Sequence, residues 1–382
     1  MDFDFSEEQR QLGDAMQRFV AGEYSFEKRK AILAGPDGFS RDVWKQLGEL
    51  GFLALLVPEE HGGMGAGPVE ILLVMNAIGK GLLLEPYLPS AILATLLLRG
   101  DVSDAAPQSR SEADSPGELL SRMAAGEVIA VPAHTEFGAR YDLRHVATKA
   151  TKTPDGYALS GEKAVVLHAP AADFLVVSAR TAGADTDERG ISLFLVARDA
   201  PGLSMRLFRT MDGQRAADVK LENVPAKLIA ENALPRIEAA FDFGIAALCA
   251  EAVGALQASL DATIDYTKTR QQFGQPIAKF QALQHRMADM FIQVEQARSM
   301  SFLAAMRCTD SDARERSRNL SAAKALVGQA ARFVGQQSIQ LHGGMGMTDE
   351  LAISHHFRRL TAIELMLGDT EHHLERFAKG RA

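Results

Sequence analysis

Apolar residues late in the chain recur at three- and four-residue steps, as in the series Met287, Met290, Phe291, Val294 and Ala297. Because an α-helix turns about every 3.6 residues, this spacing places such residues on one face of a helix. The pattern predicts four long helices, at about 236–269, 278–308, 313–341 and 349–378. It is typical of a four-helix bundle, which we expect over residues 231–382.

The middle of the chain, from residue 127 to about 224, carries short runs rich in β-branched residues, among them VIAVPA, DFLVVSAR and ISLFLVAR. Turn residues such as Pro154, Asp155 and Gly156 separate these runs. Several short strands at this spacing favour a small antiparallel sandwich or barrel over alternating βαβ units. We therefore expect a middle β domain at 127–230.

The first part of the chain has helical patterns with recognisable starts. Ser6 with Gln9 predicts a capping box, Ser40 predicts the start of a second helix, and Pro68 and Ser90 predict a third and a fourth. Residues 101–117 form a polar connector. The fold class expected from the whole pattern is α+β, with an N-terminal helical domain at 1–126 before the β domain and the bundle.

Composition and charge narrow the function classes. The formal net charge of -8 provides no positive field to collect a nucleic acid. The two cysteines, Cys249 and Cys308, lie inside apolar helical patterns, so we expect neither a disulfide framework nor a metal cluster. The start, MDFDFSEEQR, is acidic and lacks a charged-then-apolar pattern, so we expect no export leader. The longest apolar run, near residues 88–98, is too short to cross a bilayer. We expect a cytoplasmic protein without a membrane partner.

One stretch interrupts the helical pattern with residues typical of a ligand-binding site. Residues 270–281, RQQFGQPIAKFQ, place an arginine and aromatic residues around a Gly-Gln-Pro turn. A cation suits a phosphate and an aromatic residue suits a ring, so the stretch predicts contact with a flat anionic ligand. The alternative is a capped break between two bundle helices. A second stretch downstream, SIQLHGGMGMTDE at 338–350, favours the ligand.

The order helix, sheet, helix, together with these two stretches, resembles the acyl-CoA dehydrogenase family over nearly the whole chain. AHTEFGARYD at 133–142, LSGEKAVVLHAPAADFLVV at 159–177 and FDFG at 241–244 resemble further motifs of that family. The resemblance is strongest to small subunits of pimeloyl-CoA and steroid-degrading enzymes built from two unlike chains. It implies FAD as cofactor and α,β-desaturation of an acyl-CoA thioester. It also implies a related large subunit, or a homodimer or tetramer, and an electron-transfer flavoprotein as acceptor.

The resemblance carries the family's cofactor contacts onto particular residues. In the family, a neighbouring subunit holds the flavin's adenosine and pyrophosphate, and the matching residues are Arg270, Phe273, Ile277, Gln281, Gln340, Gly343 and Gly344. For the flavin ring within the same subunit, Thr135 matches. Val165 and Leu167, however, replace the family's tryptophan and hydroxyl residue, and neither side chain donates a hydrogen bond.

The catalytic base is the largest departure from the family. Leu367 and Gly244 occupy the two positions where family members carry it, and Ile245 replaces an arginine that reaches the CoA arm. Of the substrate patch, Phe241 and Asp242 remain.

Two other acids are candidates for a displaced base, Glu251 and Asp369. The alternatives are an ion pair with a neighbouring helix for Glu251 and a helix cap for Asp369. The histidine pairs His355-His356 and His372-His373 are interpreted as a solvated helix face, because adjacent helical side chains diverge and suit a metal poorly.

Three functional hypotheses follow. In the favoured one, the chain is a small subunit that donates FAD-binding residues to a catalytic partner. In the second, it is a self-sufficient dehydrogenase with a displaced base. In the third, it is a non-catalytic scaffold whose flavin site is vestigial.

Overall fold

The computed structural model describes residues 5–99 and 115–380. The polar connector expected at 101–117 falls mostly outside the described residues. Within them, the chain is helical at both ends and carries one larger sheet in the middle. The α+β class expected from the sequence is confirmed.

The N-terminal helices begin largely where the local signals predict. They are α1 (Glu7–Glu23), α2 (Phe26–Ala34), α3 (Arg41–Glu49), α4 (Pro68–Gly81), α5 (Thr95–Leu98) and α6 (Pro116–Ala124). Ser6 and Gln9 form the reciprocal capping box on α1, and Ser40 Oγ accepts from the Val43 amide on α3. The predicted start at Ser90 is wrong, because Ser90 is fully buried inside a π-helical segment, Tyr87–Ala94, that runs directly into α5.

The middle of the chain forms a sheet of seven strands. The strands are β1 (Ala130–Ala133), β2 (Lys149–Thr153), β3 (Gly156–Leu167), β4 (Phe174–Arg180), β5 (Ile191–Ala197), β6 (Leu203–Arg209) and β7 (Arg215–Ala230). Pairings β4 to β2, β2 to β3, β3 to β7, β7 to β5 and β5 to β4 close a ring, so the sheet is a small barrel. Most pairs are antiparallel, but β1 and β2 pair with β4 in parallel.

The C-terminal part is the predicted bundle with one difference. Its helices are α7 (Leu234–Thr269), α8 (Gln281–Arg307), α9 (Ala313–His342), α10 (Ala352–Leu365) and α11 (Thr370–Lys379). Between α7 and α8 lies a short hairpin of β8 (Gln271–Gln272) and β9 (Gln275–Pro276). The single helix predicted at 349–378 is wrong. The chain breaks it after Leu365, and Leu367 and Gly368 adopt φ of 55° and 114° there.

The chain divides into two compact units, and each combines non-consecutive ranges. One unit contains Met1–Ala31, Pro68–Leu83 and Ile245–Ala382, and the other contains Ile32–Gly67 and Leu84–Gly244. The division at 126 and 230 stays a prediction.

In the first unit, α4 crosses α7 at unusually short range. A Cβ added to Gly79 would lie 1.9 Å from the Glu251 carbonyl oxygen, and one added to Gly254 would lie 1.9 Å from that of Asn76. Only glycine permits this approach of two backbones.

Helix α7 is long and apolar enough to cross a membrane by length and hydropathy alone. However, 94% of its apolar window is buried inside the fold. A buried core helix of a globular protein passes the same test, so this helix is weak evidence for a membrane span.

Candidate functional site

An open cavity of about 480 Å³ lies where α7, the short hairpin and the end of α9 meet in the first unit. This volume falls in the range of small-molecule sites. Five residues singled out from the sequence line it: Arg270, Ile277, Gln340, Gly343 and Gly344. The two separate sequence stretches are therefore brought together at one cavity.

The hairpin that forms one side of the cavity is fixed by backbone bonds. The Arg270 amide donates to the Tyr266 carbonyl at 2.8 Å, and the Ile277 amide donates to the Arg270 carbonyl at 2.9 Å. The two turn residues, Phe273 and Gly274, have φ of 55° and 78°, as a two-residue type I′ turn requires. This turn reverses the chain so that Arg270 and Ile277 lie side by side.

The other side of the cavity is the end of α9. Gly343 ends the helix with φ of 62°, a conformation that favours glycine, and its amide donates to the Gln340 and Ile339 carbonyls. A Cβ built on Gly343 or on Gly344 would meet no atom within 4 Å. Packing within this chain therefore does not demand the second glycine, and the open space leaves room for a ligand to approach the backbone.

The polar groups of the cavity suit a phosphate-bearing ligand. The guanidinium of Arg270 is exposed and has no hydrogen-bond or ion-pair partner in the described part of the chain. Gln340 is likewise exposed on the last turn of α9. An unpaired arginine, side-chain amides and accessible backbone form a donor set that fits the pyrophosphate of FAD.

Two residues expected at this site do not line the cavity. Phe273 lies at the hairpin tip with 90% of its surface exposed, and its ring meets that of Phe280 edge to face at 6.0 Å. Gln281 is the exposed first residue of α8. Their contact with a ligand stays a prediction.

Five further lining residues were missed from the sequence: Tyr266, Gln272, Leu341, His342 and Met345. Tyr266 could have been found, because it precedes Arg270 by four positions and so shares a helix face with it. The Tyr266 and His342 rings stack at 4.4 Å between centroids, with 24° between their planes. Burial lowers the pKa of His342, although its hydrogen bond to the Ser338 carbonyl opposes the shift.

Thr135 belongs to a loop of the second unit that a buried polar network holds in place. Lys163, which is 0% exposed, donates to Glu136 Oε1 at 2.6 Å, to Ser178 Oγ at 3.0 Å and to the His134 carbonyl at 3.2 Å. Burial lowers the pKa of Lys163 to about 8 and that of His134 to about 3. The network rigidifies the backbone on both sides of Thr135, whose own side chain is exposed.

One of the two residues that replace the expected flavin wall, Val165, lies beside this loop. The Ala164 amide donates to the Thr135 carbonyl at 2.8 Å, which places the β3 bulge against the loop. Val165, in that bulge, has φ of 52° and is 50% exposed. An exposed aliphatic side chain stands here and offers no hydrogen bond.

Glu251 is engaged in a buried ion pair. Its two carboxylate oxygens accept from Nε and an Nη atom of Arg359 at 2.5 and 2.8 Å, and the two side chains are 3% and 8% exposed. This is the bidentate pairing with a neighbouring helix that the sequence left open as the alternative. Both oxygens of the Glu251 carboxylate are therefore bonded to a side chain of α10 in the same unit.

Asp369 is engaged as well. Its Oδ1 accepts from the His372 amide at 2.8 Å and caps α11. Next to it, the turn at Leu367 is held by Lys324, whose Nζ donates to the Glu364 and Gly368 carbonyls at 3.0 and 2.8 Å. The turn is therefore well defined, but a half-buried leucine stands at its strained position.

The two residues proposed for the substrate patch are buried in the second unit. Phe241 is 9% exposed, and its ring meets His134 edge to face at 5.4 Å. Asp242 is 2% exposed. Gly244 and the next residue of α7, Ile245, are both buried.

The interpretation of the histidine pairs as a solvated face is wrong for most of their members. His355 and His356 are each 5% exposed, and His373 is fully buried. His355 accepts from Arg29 at 2.8 Å, and His373 donates to the Leu367 carbonyl at 3.0 Å. No group of three metal-binding side chains occurs within residues 5–99 and 115–380.

Three models of acyl-CoA dehydrogenase domains match the chain: the N-terminal domain over residues 6–101, the middle domain over 132–224 and the C-terminal domain over 234–381. The mitochondrial short-chain specific acyl-CoA dehydrogenase of Bos taurus is 30% identical over 335 residues, which are 86% of this chain and 79% of that protein. The chain belongs to the acyl-CoA dehydrogenase family, as its sequence motifs indicated.

Solved structures agree with this assignment. A chain of the ChsE4-ChsE5 complex from Mycobacterium tuberculosis superposes with a TM-score of 0.85 at 25% identity, covering 99% of this chain and 98% of that chain. A chain of the FAD complex of PigA superposes with a TM-score of 0.84 at 25% identity, with the same coverage. Members of the family are FAD-containing oxidoreductases that act on CH–CH bonds.

Proposed function

We propose that this chain is a small subunit of a two-chain acyl-CoA dehydrogenase. It supplies the adenosine and pyrophosphate half of an FAD site to a partner that carries the catalytic carboxylate. The observation that carries the proposal is a contrast within the chain. The arginine of the cavity is unpartnered in the described residues, whereas both candidate acids are already bound to groups of their own unit.

The cavity residues have defined roles in this function. Arg270 and Gln340 would donate to the pyrophosphate, and Gly343 and Gly344 would let the backbone approach it. FAD, when bound, supplies the acceptor for the hydride that leaves the acyl chain. The residues of this chain bind and orient the cofactor and take no proton from the substrate.

Proton abstraction next to a thioester carbonyl requires a carboxylate free to reach that carbon. Leu367 and Gly244 have no group that accepts a proton. Glu251 would have to leave its buried bidentate pair with Arg359, and breaking such a pair is costly. The second hypothesis, a self-sufficient enzyme with a displaced base, is therefore disfavoured.

Two further observations support an unlike partner. Phe273 and Met347 are 90% and 76% exposed, and both belong to the two stretches that form the cavity. Exposed apolar side chains at a cofactor site suit a surface that another subunit covers. The ChsE4-ChsE5 structure, with which this chain superposes, is a complex of two differently named chains. An electron-transfer flavoprotein is the acceptor that we expect for the complex.

The first test is to purify the chain alone and measure bound flavin and dye reduction on a panel of acyl-CoA thioesters. We expect a colourless and inactive protein, and a yellow and active one when a related chain with an intact glutamate is co-expressed. A yellow, active homo-oligomer of this chain alone would overturn the proposal.

The second test separates a donated site from a vestigial one. Arg270→Ala should lower the flavin content of the two-chain complex, because the pyrophosphate loses its cation. Arg10→Ala, on the exposed face of α1, is the matched control and should leave the flavin content unchanged. Unchanged flavin in the Arg270 variant would favour a scaffold subunit instead.

A further inference from the structure

The cavity has a second polar feature that the pyrophosphate does not use. His342 Nδ1 lies 2.8 Å from the Ser338 carbonyl oxygen. A carbonyl oxygen only accepts, so Nδ1 carries a proton and donates. In the neutral ring, Nε2 then holds a lone pair and accepts. Nε2 has no hydrogen-bond partner among the described residues.

Burial keeps this ring neutral. His342 is 5% exposed, and burial lowers its pKa below the usual 6.5. At neutral pH, Nε2 is therefore an acceptor of hydrogen bonds. Arg270, by contrast, is a donor only. The cavity thus pairs a donor for an anion with an acceptor for a ligand N–H or O–H group.

The stack on Tyr266 fixes the orientation of that acceptor. Nearly parallel rings 4.4 Å apart, together with the bond to Ser338, leave the imidazole little freedom to turn. Tyr266 precedes Arg270 by four residues, which corresponds to roughly 6 Å along a helix axis. A ribose bridges a spacing of this order between a base and a diphosphate.

We infer that Tyr266 and His342 recognise the nucleoside end of the bound cofactor, with Nε2 of His342 accepting a hydrogen bond from the adenosine. This inference rests on the proposed function, since Arg270 then takes the diphosphate next to it. Two donors of adenosine have the required chemistry, the amino group of the base and the hydroxyl groups of the ribose. His342 is thereby a specificity-determining residue of the cofactor site.

The test is a ligand-observed NMR titration of the full chain with ADP, IDP and 2′-deoxy-ADP. IDP lacks the amino donor and 2′-deoxy-ADP lacks one ribose donor. One neutral hydrogen bond corresponds to a roughly three- to tenfold preference, so ADP should bind more tightly than one of the two analogues by that factor. The weaker analogue identifies the donor. Equal affinity for all three would overturn the inference.

His342→Phe keeps a ring against Tyr266 and removes the acceptor. We expect its affinity for ADP to fall to that of the weaker analogue, which abolishes the preference. His285→Phe, at an exposed position of α8 outside the cavity, is the matched control and should keep the preference. Retention of the full preference in the His342 variant would also overturn the inference.

Arg270→Ala distinguishes the two proposals. It should weaken all three nucleotides by a similar factor and leave their ratio unchanged. Binding that depends on Arg270 but shows no preference among the nucleotides refutes only the role of His342. A lack of binding, or binding insensitive to Arg270, refutes both the role of His342 and the cofactor site.

Discussion

Replacing Glu251 by glutamine tests whether this acid is a structural group or a catalytic base. The amide keeps the shape of the side chain but loses its charge, so the guanidinium of Arg359 loses the carboxylate of this buried bidentate pair. At an effective dielectric constant of about 20, two charges roughly 3 Å apart attract by about 5 kcal/mol. Breaking such a buried pair typically costs about 3–5 kcal/mol of stability.

The assay is a double-mutant cycle measured by urea unfolding and followed by circular dichroism. We expect Glu251→Gln and Arg359→Met each to lower the free energy of unfolding by about 3–5 kcal/mol. Their combination should lose less than the sum, because glutamine and methionine together leave no uncompensated charge between these two buried positions. The coupling energy should therefore reach about 3 kcal/mol.

The pair Lys45 and Glu49 provides the matched control. These side chains are 71% and 61% exposed and lie 3.7 Å apart, so their coupling should stay below about 1 kcal/mol. A loss of less than about 1 kcal/mol on Glu251→Gln would refute the structural interpretation. A loss of turnover by orders of magnitude with unchanged stability would instead identify a base.

Three further changes test other parts of the fold by the same unfolding assay. Gly254→Ala should lower the free energy of unfolding by about 3 kcal/mol, because its Cβ would lie 1.9 Å from a carbonyl oxygen. The control Gly22→Ala, in open space on α1, should be neutral or slightly stabilising. Equal effects of the two changes would contradict the close crossing of α4 and α7. Burial lowers the pKa of His356 to about 3. Below about pH 6.5, this histidine therefore binds a proton in the unfolded chain but stays neutral in the folded chain. The free energy of unfolding should therefore decrease as the pH is lowered below 6.5, by about 1.4 kcal/mol at pH 5.5 for this residue. His356→Met should make this dependence on pH shallower. An unchanged slope of stability against pH would argue against a buried neutral ring. Arg180→Met should cost about 3 kcal/mol or more, because Arg180 donates to the carbonyls of two adjacent loops that would lose their partners, and a loss below 1 kcal/mol would contradict those bonds.

Local sequence signals predicted the helix starts that depend on capping residues. The capping box at Ser6 and the cap at Ser40 depend on atoms within one turn, so the sequence was sufficient. Ser90 failed because a π-helical segment had already begun at Tyr87. The helix cap weighed for Asp369 is observed, whereas the positive φ at Leu367 was not predicted, since a leucine gives no signal for it.

Tertiary packing accounts for the other failures. The histidines at 355, 356 and 373 read as polar surface, but their burial depends on partners distant in sequence, such as Arg29 and Ser321. The cavity was predicted from its two sequence motifs. The stacked rings of Tyr266 and His342, by contrast, belong to residues 76 positions apart in the sequence. No pattern in either segment marks that contact.

The tip of the short hairpin has a consequence for handling the protein. Phe273 is a bulky residue with a left-handed backbone conformation, and 90% of its surface is exposed. Both features are unfavourable in the isolated chain. The positive φ strains the backbone, and the exposed ring orders the water around it. A preparation of this chain alone should thus self-associate as its concentration rises, and a polar residue in place of Phe273 should keep it monodisperse.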